Sequence, residues 1–299
     1  MKNIILALTL ISFLSSCEDV IDLEVQDGVQ QLVVDGWLTN KAEDQTIRLS
    51  LSQAYFDNSA VRTVNDAEVI IYELDQTPHL FVNKGNGEYV LAKEDSRFLT
   101  EGRQYSLYIN FNGEEYSSLS ALNRVPNIDS IAYEYFKFPI AQADSTEPED
   151  GYIAEFYARD PEGAGDTYWI RTTKNGKLLN NPTTISTAFD AGFSPGALSD
   201  GLLFILPIRQ SINDGLYQHG DSLRVELWSI TNDAFYYLSQ VRQESGNGGI
   251  FATPPANIPT NISNLNSTSN KTALGYFGIS SISEYTTVID STKAREPLF

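Results

Sequence analysis

The chain has 299 residues, 41% of them hydrophobic and 11% aromatic, which is enough apolar material for one or two packed cores and excludes a disordered or collagen-like protein. Its 39 acidic residues outnumber 20 basic ones, giving a net charge of −19, and no basic stripe occurs, so nucleic acid is not an expected partner. A single Cys excludes a disulfide framework and a Cys-based metal site.

The first 17 residues predict a lipoprotein signal peptide. Lys2 gives the positive start, and the apolar run at residues 4–14 is too short to span a bilayer of about 30 Å. The ending Leu14-Ser-Ser-Cys17 resembles a bacterial lipobox, in which the Cys is lipidated with palmitate and becomes the new N-terminus. Because Cys17 is the only Cys of the chain and lies where a lipobox requires it, we expect lipidation there rather than an ordinary secretory signal.

Residues 18–30 are predicted to be a tether between the lipid and the folded part. Glu18 and Asp19 follow Cys17 directly, and acidic residues at this place resemble an export signal to the cell surface. The other interpretation is that they only keep the tether solvated. We expect a lipid-anchored outer-membrane protein that faces the cell surface.

Residues 31–126 predict an immunoglobulin-like β-sandwich, because apolar and polar residues alternate with period 2 between turn residues. The pairs Asn86-Gly87 and Asn112-Gly113 favour hairpin turns, since both residue types accept the positive φ that such turns need. The predicted strands cover residues 31–38, 45–51, 67–73, 87–91, 104–110 and 115–119.

Residues 127–299 predict a second β-rich domain with one helix near 232–244. Thr231 or Asn232 can cap this helix, and the apolar residues that follow recur on one helical face. Gly246 and its neighbouring glycines end it. The predicted strands cover residues 128–138, 151–158, 167–172, 202–208, 222–228, 274–282 and 284–289.

Several short motifs resemble one known family along most of the chain. They lie at residues 17–23, 32–38, 160–171, 249–258 and 274–278. Together and in this order they resemble domain-of-unknown-function family 4249. The resemblance implies outer-membrane lipoproteins of Gram-negative bacteria, often encoded beside TonB-dependent transporters, with no catalytic residues assigned.

The segment Gly192-Phe-Ser-Pro-Gly196 matches the Gly-x-Ser-x-Gly pattern of hydrolases, but two features argue against catalysis. Pro195 has no N–H to donate to an oxyanion, and the surrounding residues predict a loop rather than a strand-to-helix turn. His79 and His219 are the only histidines, and each is predicted to lie in a turn. We therefore expect no enzyme activity and no cofactor.

Acidic residues near glycines make weak candidates for calcium ligands at Asp160, Glu162 and Asp166. Their spacing fits no established calcium loop, and a solvated acidic loop is the preferred interpretation. Trp37, Trp169 and Trp228 lie within strand patterns and are predicted to be core residues.

The proline-rich segment at residues 253–262 cannot form a strand ladder, because proline donates no backbone hydrogen bond. Two interpretations stay open: a partner-facing surface, or a plug at one end of the second β domain. The candidate partner-facing residues are Phe251, Pro254, Pro255, Ile258, Pro259 and Ile262.

These features together predict a non-catalytic accessory of a TonB-dependent β-barrel transporter, either capturing its ligand or covering it. The alternative is a structural or adhesive surface module without a transport role. A hydrolase whose residues the sequence does not reveal is a third interpretation.

Overall fold

A computed structural model of the protein describes residues 29–54, 57–139, 148–249, 252–254 and 256–296. In these residues the backbone is mostly β with one main helix, which confirms the predicted fold class. None of the helices described there is long and apolar enough to cross a membrane. The predicted signal peptide, Cys17 and nearly all of the predicted tether lie outside the described residues.

The chain forms short strands joined by tight turns. The strands are β1 Leu32–Thr39, β2 Gln45–Leu51, β3 Glu68–Tyr72, β4 Pro78–Leu80, β5 Val82–Gly85, β6 Glu88–Leu91, β7 Gln104–Phe111, β8 Glu114–Ala121, β9 Ile128–Lys137, β10 Asp150–Ala158, β11 Thr167–Lys174, β12 Lys177–Leu179, β13 Ser186–Phe189, β14 Ser222–Ile230, β15 Ser263–Asn264, β16 Ala273–Ser280 and β17 Ile282–Val288. The helices are α1 Leu206–Arg209 and α2 Asn232–Ser245, with 3₁₀ turns at Lys93–Asp95, Pro182–Thr184 and Ser291–Lys293.

The first body is a β-sandwich of two five-stranded sheets, ordered β16-β1-β2-β6-β5 and β15-β8-β7-β3-β4. Leu32, Val34 and Leu38 of β1 point into the space between the sheets, where they join a core contributed by both. Because side chains alternate along a strand, Asp35 and Trp37 lie on the outer face of the same sheet.

The C-terminal part of the chain completes this sandwich. β16 pairs in parallel with β1 along its whole length, and β15 pairs with β8. Ile262, Phe277 and Ile279 are buried in the core of the sandwich. The sequence analysis placed this strand in the second domain, because alternation identifies a strand without identifying its partner.

The second body contains the hairpin β9–β10 and a sheet ordered β12-β11-β14-β17, in which β13 also pairs with β11. Its core is built from residues such as Phe156, Tyr168 and Phe204. Helix α2 confirms the predicted helix. Its N-cap is Thr231, whose Oγ1 accepts a hydrogen bond from the amide of Ala234 at 3.2 Å, and its apolar face is buried.

Two local predictions are wrong. Residues 202–208 do not form a strand, because Pro207 occupies the first turn of α1 and cannot donate to a ladder. The buried side chains of Phe204 and Ile208 account for the apolar run there. His79 lies in β4 rather than in a turn, with its Nε2 2.9 Å from Glu73 Oε1 and its ring stacked on Phe98.

The pairing of β1 with β16 depends on Gly275. Its φ is +86°, and a Cβ built there would lie 2.0 Å from the carbonyl oxygen of Val34. We expect Gly275→Ala to lower the free energy of unfolding by about 1–3 kcal/mol or more, since an alanine is strained in this conformation and its Cβ clashes with backbone atoms of β1.

Thermal unfolding followed by circular dichroism measures this effect. The matched control is Gly248→Ala, because a Cβ there meets nothing within 4 Å and the φ is ordinary. Equal melting temperatures for the two variants would contradict the role assigned to Gly275.

Candidate functional site

A groove separates the outer face of β1 from the sheet that contains β11 and β14. It consists of a cavity of about 420 Å³ and an adjoining cavity of about 330 Å³. Both cavities are lined by Trp37, Arg171 and Trp228, and the first also by Trp169. We call this feature the tryptophan groove. Its mouth carries the polar residues Asn180, Asn181 and Thr184.

Strand alternation and sheet register place the aromatic residues of the groove. Trp169 and Arg171 are two residues apart on β11 and therefore lie on the same face of the sheet. Across the ladder, Trp169 is paired with Trp228 and Arg171 with Glu226. The second wall is the outer face of β1, which contributes Trp37.

The three tryptophans contact one another in sequence across the groove. The ring centroids of Trp37 and Trp169 are 5.2 Å apart, edge to face, and those of Trp169 and Trp228 are 5.7 Å apart. Trp37 also stacks on Tyr276 at 5.2 Å with an interplanar angle of 16°. A Cβ at Gly278 would come within 2.6 Å of the Trp37 ring, so this glycine makes room for the indole.

Arg171 is the distinctive polar group of the groove. Its Cζ lies 4.7 Å from the ring centroid of Trp169 and 4.4 Å from that of Trp228, so the guanidinium occupies the notch between the two indoles. Within the described part of the chain, the side chain of Arg171 makes no hydrogen bond and no ion pair with another residue. Burial lowers the pKa of Arg171, while Glu226 and Asp35 act in the opposite direction.

Glu226, which is paired with Arg171 across the ladder, already binds other side chains. Glu226 accepts hydrogen bonds from Lys41 Nζ at 2.6 Å and from Trp228 Nε1 at 3.2 Å, and it lies 3.7 Å from Arg224. These contacts hold the pKa of Glu226 below its usual value although burial opposes ionisation. The N–H donors of Arg171 are therefore available to a ligand.

The sequence analysis predicted the three tryptophans as core residues, and this is confirmed for Trp228, which is 6% exposed. Trp37 and Trp169 are only half-buried and pack against the edge of a core cluster, and all three rings also line the groove. The sequence signal that was missed is the spacing of Trp169 and Arg171, which places an aromatic ring and a cation on one face of a strand.

The predicted calcium candidates do not form a single group. Asp160 lies instead with Asp190 and Asp200, whose carboxylate oxygens are all within 4.8 Å of one another. Asp160 accepts hydrogen bonds from the Tyr168 hydroxyl at 2.6 Å and from an amide, and burial raises its pKa.

The carboxylates of the other two candidates do not belong to that trio, although the backbone amide of Asp166 donates to Asp190 Oδ1 at 3.0 Å. Asp166 is 2.6 Å from Arg124, and Glu162 is exposed. Sequence spacing missed Asp190 and Asp200, because loop closure rather than local spacing brings them to Asp160.

The structure does not place Ser194 in a hydrolase elbow. Ser194 is exposed in a bend that does not connect a strand to a helix. Each histidine has another contact: His79 with Glu73, and His219 through its Nδ1, which accepts a hydrogen bond from the amide of Ser291. The expectation of a non-enzyme stays a prediction.

The proline-rich segment lies outside the strand ladders, as predicted. Pro254 and Pro259 are exposed, Ile258 is half-buried, and Phe251 and Pro255 lie outside the described residues. Ile262 is 4% exposed in the core of the first sandwich, so it is neither partner-facing nor a plug of the second body.

The end of this segment is fixed to the first sandwich. The side chain of Asn261 donates to the carbonyl oxygen of Phe277 and accepts from its amide. Both bonds attach the segment to β16, which continues the chain into the sandwich core.

A sequence model of the family described as "Domain of unknown function (DUF4249)" matches residues 18–286, which confirms the resemblance noted in the sequence. A search of curated proteins finds no match.

From its contacts we expect Arg171 to contribute little to the free energy of unfolding. Replacing Arg171 by Met removes cation–π contacts but also removes a half-buried charge, and methionine fills the notch between the indoles. We expect the free energy of unfolding to change by less than about 1 kcal/mol, measured by chemical denaturation.

The matched control is Arg295→Met. Arg295 is bound to Glu134 at 2.9 Å and to Glu155, which is 1% exposed, at 2.6 Å. Removing it leaves a buried carboxylate with fewer partners and is expected to cost roughly 3 kcal/mol. A comparable loss in both variants would mean that Arg171 is a structural residue.

Proposed function

We propose that this protein is non-catalytic and captures a ligand in the tryptophan groove. The chain belongs to the family described as Domain of unknown function (DUF4249), and the proposal is drawn from the geometry of the chain itself. The protein captures the ligand as a lipid-anchored accessory of a TonB-dependent transporter, at the cell-surface side of the outer membrane. The observation that carries the proposal is the half-buried guanidinium of Arg171, which lies between two indole rings and forms no ion pair within the described residues.

The groove has the properties expected of a binding site for a small ligand. Its larger cavity, about 420 Å³, falls in the range typical of ligand pockets, which is roughly 300–1,000 Å³. Aromatic faces and a few polar groups converge there, as such sites require. The described residues provide no nucleophile–base pair at the groove, which favours binding over catalysis.

The sequence supports two parts of the proposal, the lipid anchor at Cys17 and the transporter as partner. Lipidation at Cys17 confines the protein to one membrane, and confinement raises its effective concentration toward a transporter in that membrane. The exposed prolines Pro254 and Pro259, together with Ile258, supply a candidate partner-facing surface with little conformational entropy to lose.

The anchor is tested by Cys17→Ser. This change removes the lipid while leaving the described fold untouched, so the protein is expected to move from the membrane fraction to the soluble fraction. Fractionation with immunoblotting measures the shift, and circular dichroism verifies folding. A variant that stays with membranes after a high-salt wash would disprove the anchor.

The proposed association with a transporter is tested by purifying the protein in mild detergent and identifying co-purifying proteins by mass spectrometry. A large β-barrel protein is expected to co-purify, and Ile258→Asp is expected to reduce its recovery several-fold without lowering the melting temperature.

The matched control for that experiment is Leu74→Asp, which charges a leucine that is 82% exposed in a turn of the first sandwich. It should leave recovery unchanged. Binding to matrix or cells without any β-barrel would instead support the structural or adhesive alternative.

A further inference from the structure

We propose that the ligand of the tryptophan groove is an acidic sugar, held through its carboxylate by Arg171. This inference rests on the proposed capture function and specifies the chemical class of the ligand.

Arg171 differs from the other basic residues of the groove because its charge has no partner among the described residues. Lys41 is bound to Glu226 and Glu284, Arg224 lies 3.7 Å from Glu226, and Arg48 lies 3.1 Å from Glu88. Glu226 and Asp35 act on the Arg171 charge without forming an ion pair with it, and a half-buried guanidinium without an ion pair is costly in a folded protein. A ligand anion removes that cost and gains charge-assisted hydrogen bonds.

The charge balance favours a group with a single negative charge. The two cavities are lined by four basic side chains (Lys41, Arg48, Arg171 and Arg224) and four acidic ones (Asp35, Glu43, Asp44 and Glu226). Arg171 is the one lining base without an ion pair to a described residue, and three of the lining acids (Asp35, Glu43 and Asp44) have none either, so the lining carries no surplus positive charge. A doubly charged phosphate would therefore meet more repulsion from these carboxylates than a singly charged group.

The shape of the donor favours a carboxylate. A guanidinium presents parallel N–H bonds in one plane, which match the two oxygens of a carboxylate. Trp169 and Trp228 hold the Arg171 guanidinium in a fixed place, so little side-chain entropy is lost when the anion binds.

The rest of the groove favours a sugar ring over an apolar ligand. Indole faces suit the C–H faces of a pyranose, and the groove mouth offers amides and hydroxyls to bind its hydroxyl groups. These groups belong to Asn180, Asn181, Thr46 and Thr184. Asn181 Oδ1 already accepts from Thr183, and the Thr184 hydroxyl donates to the Asn181 carbonyl oxygen. Among the described residues, the amide N–H groups of Asn181 and the side chains of Asn180 and Thr46 are therefore the groups left for a ligand. A long apolar chain would displace water from them without replacing its hydrogen bonds.

Tryptophan fluorescence is a direct probe of this groove, because the chain has three tryptophans and all three line it. The detergent-purified protein is titrated with D-glucuronate and D-galacturonate, and with the matched neutral sugars D-glucose and D-galactose. Acetate and inorganic phosphate complete the set of probes. At least one uronate is expected to shift the emission with an affinity at least tenfold above that of its neutral counterpart, of acetate and of phosphate.

Variants assign the preference to Arg171. Arg171→Met should lower uronate affinity to that of the neutral sugar, and Arg171→Lys should leave it in between, since lysine keeps the charge and loses the planar fork. Arg48→Met is the matched control, because Arg48 lines the same cavity but is paired with Glu88, and it should keep the preference.

Several results would overturn the inference. They are equal affinity for uronate and neutral sugar, an unchanged preference in Arg171→Met, an equal loss in Arg48→Met, acetate or phosphate binding as tightly as uronate, and no emission change with any probe. The wild-type comparison stands even if Arg171→Met fails to fold. Failure here with a β-barrel still recovered in detergent overturns only the ligand class, whereas absence of the β-barrel overturns the proposed accessory function.

Discussion

One short run of backbone, β16 followed by β17, holds the two bodies of this protein together. Only Ser281 separates the two strands, yet β16 completes the first sandwich beside β1 and β17 completes the second sheet beside β14. Ser281 is fixed at the crossing, because its amide donates to Ser229 Oγ and its carbonyl oxygen accepts from the Ser229 amide. Neither body can rotate away without breaking one of these ladders.

The crossing at Ser281 fixes the positions of the two walls of the groove relative to each other. Trp37 stands on β1, next to β16, while Trp169 and Trp228 stand on the sheet that β17 completes. Lys41 reinforces the arrangement from the first body by binding Glu226 and Glu284 of the second. The walls are therefore set before any ligand arrives, and binding requires little reorganisation of the protein.

Much of the fold follows from local sequence patterns, whereas the groove does not. Alternation gives strands such as β1, β7 and β11, and capping by Thr231 gives α2, because each signal lies within one element. The partner of β16 depends on contacts between distant residues, which no local pattern contains. The same holds for the groove: Trp37 has the signature of a strand residue, and its meeting with Trp169 depends on how two sheets are placed.

The return of the C-terminal segment to β1 also governs the order in which the chain can fold. The hydrogen bond from Gln31 to Thr272 at the start of this pairing spans 241 positions. β1 therefore exposes an open hydrogen-bonding edge until β16, which lies far along the chain, has been synthesised. Contacts this distant in sequence slow folding and prolong the life of incompletely folded states that are prone to aggregate. The β1 edge is therefore the part of the first sandwich that stays open longest while the chain is being made.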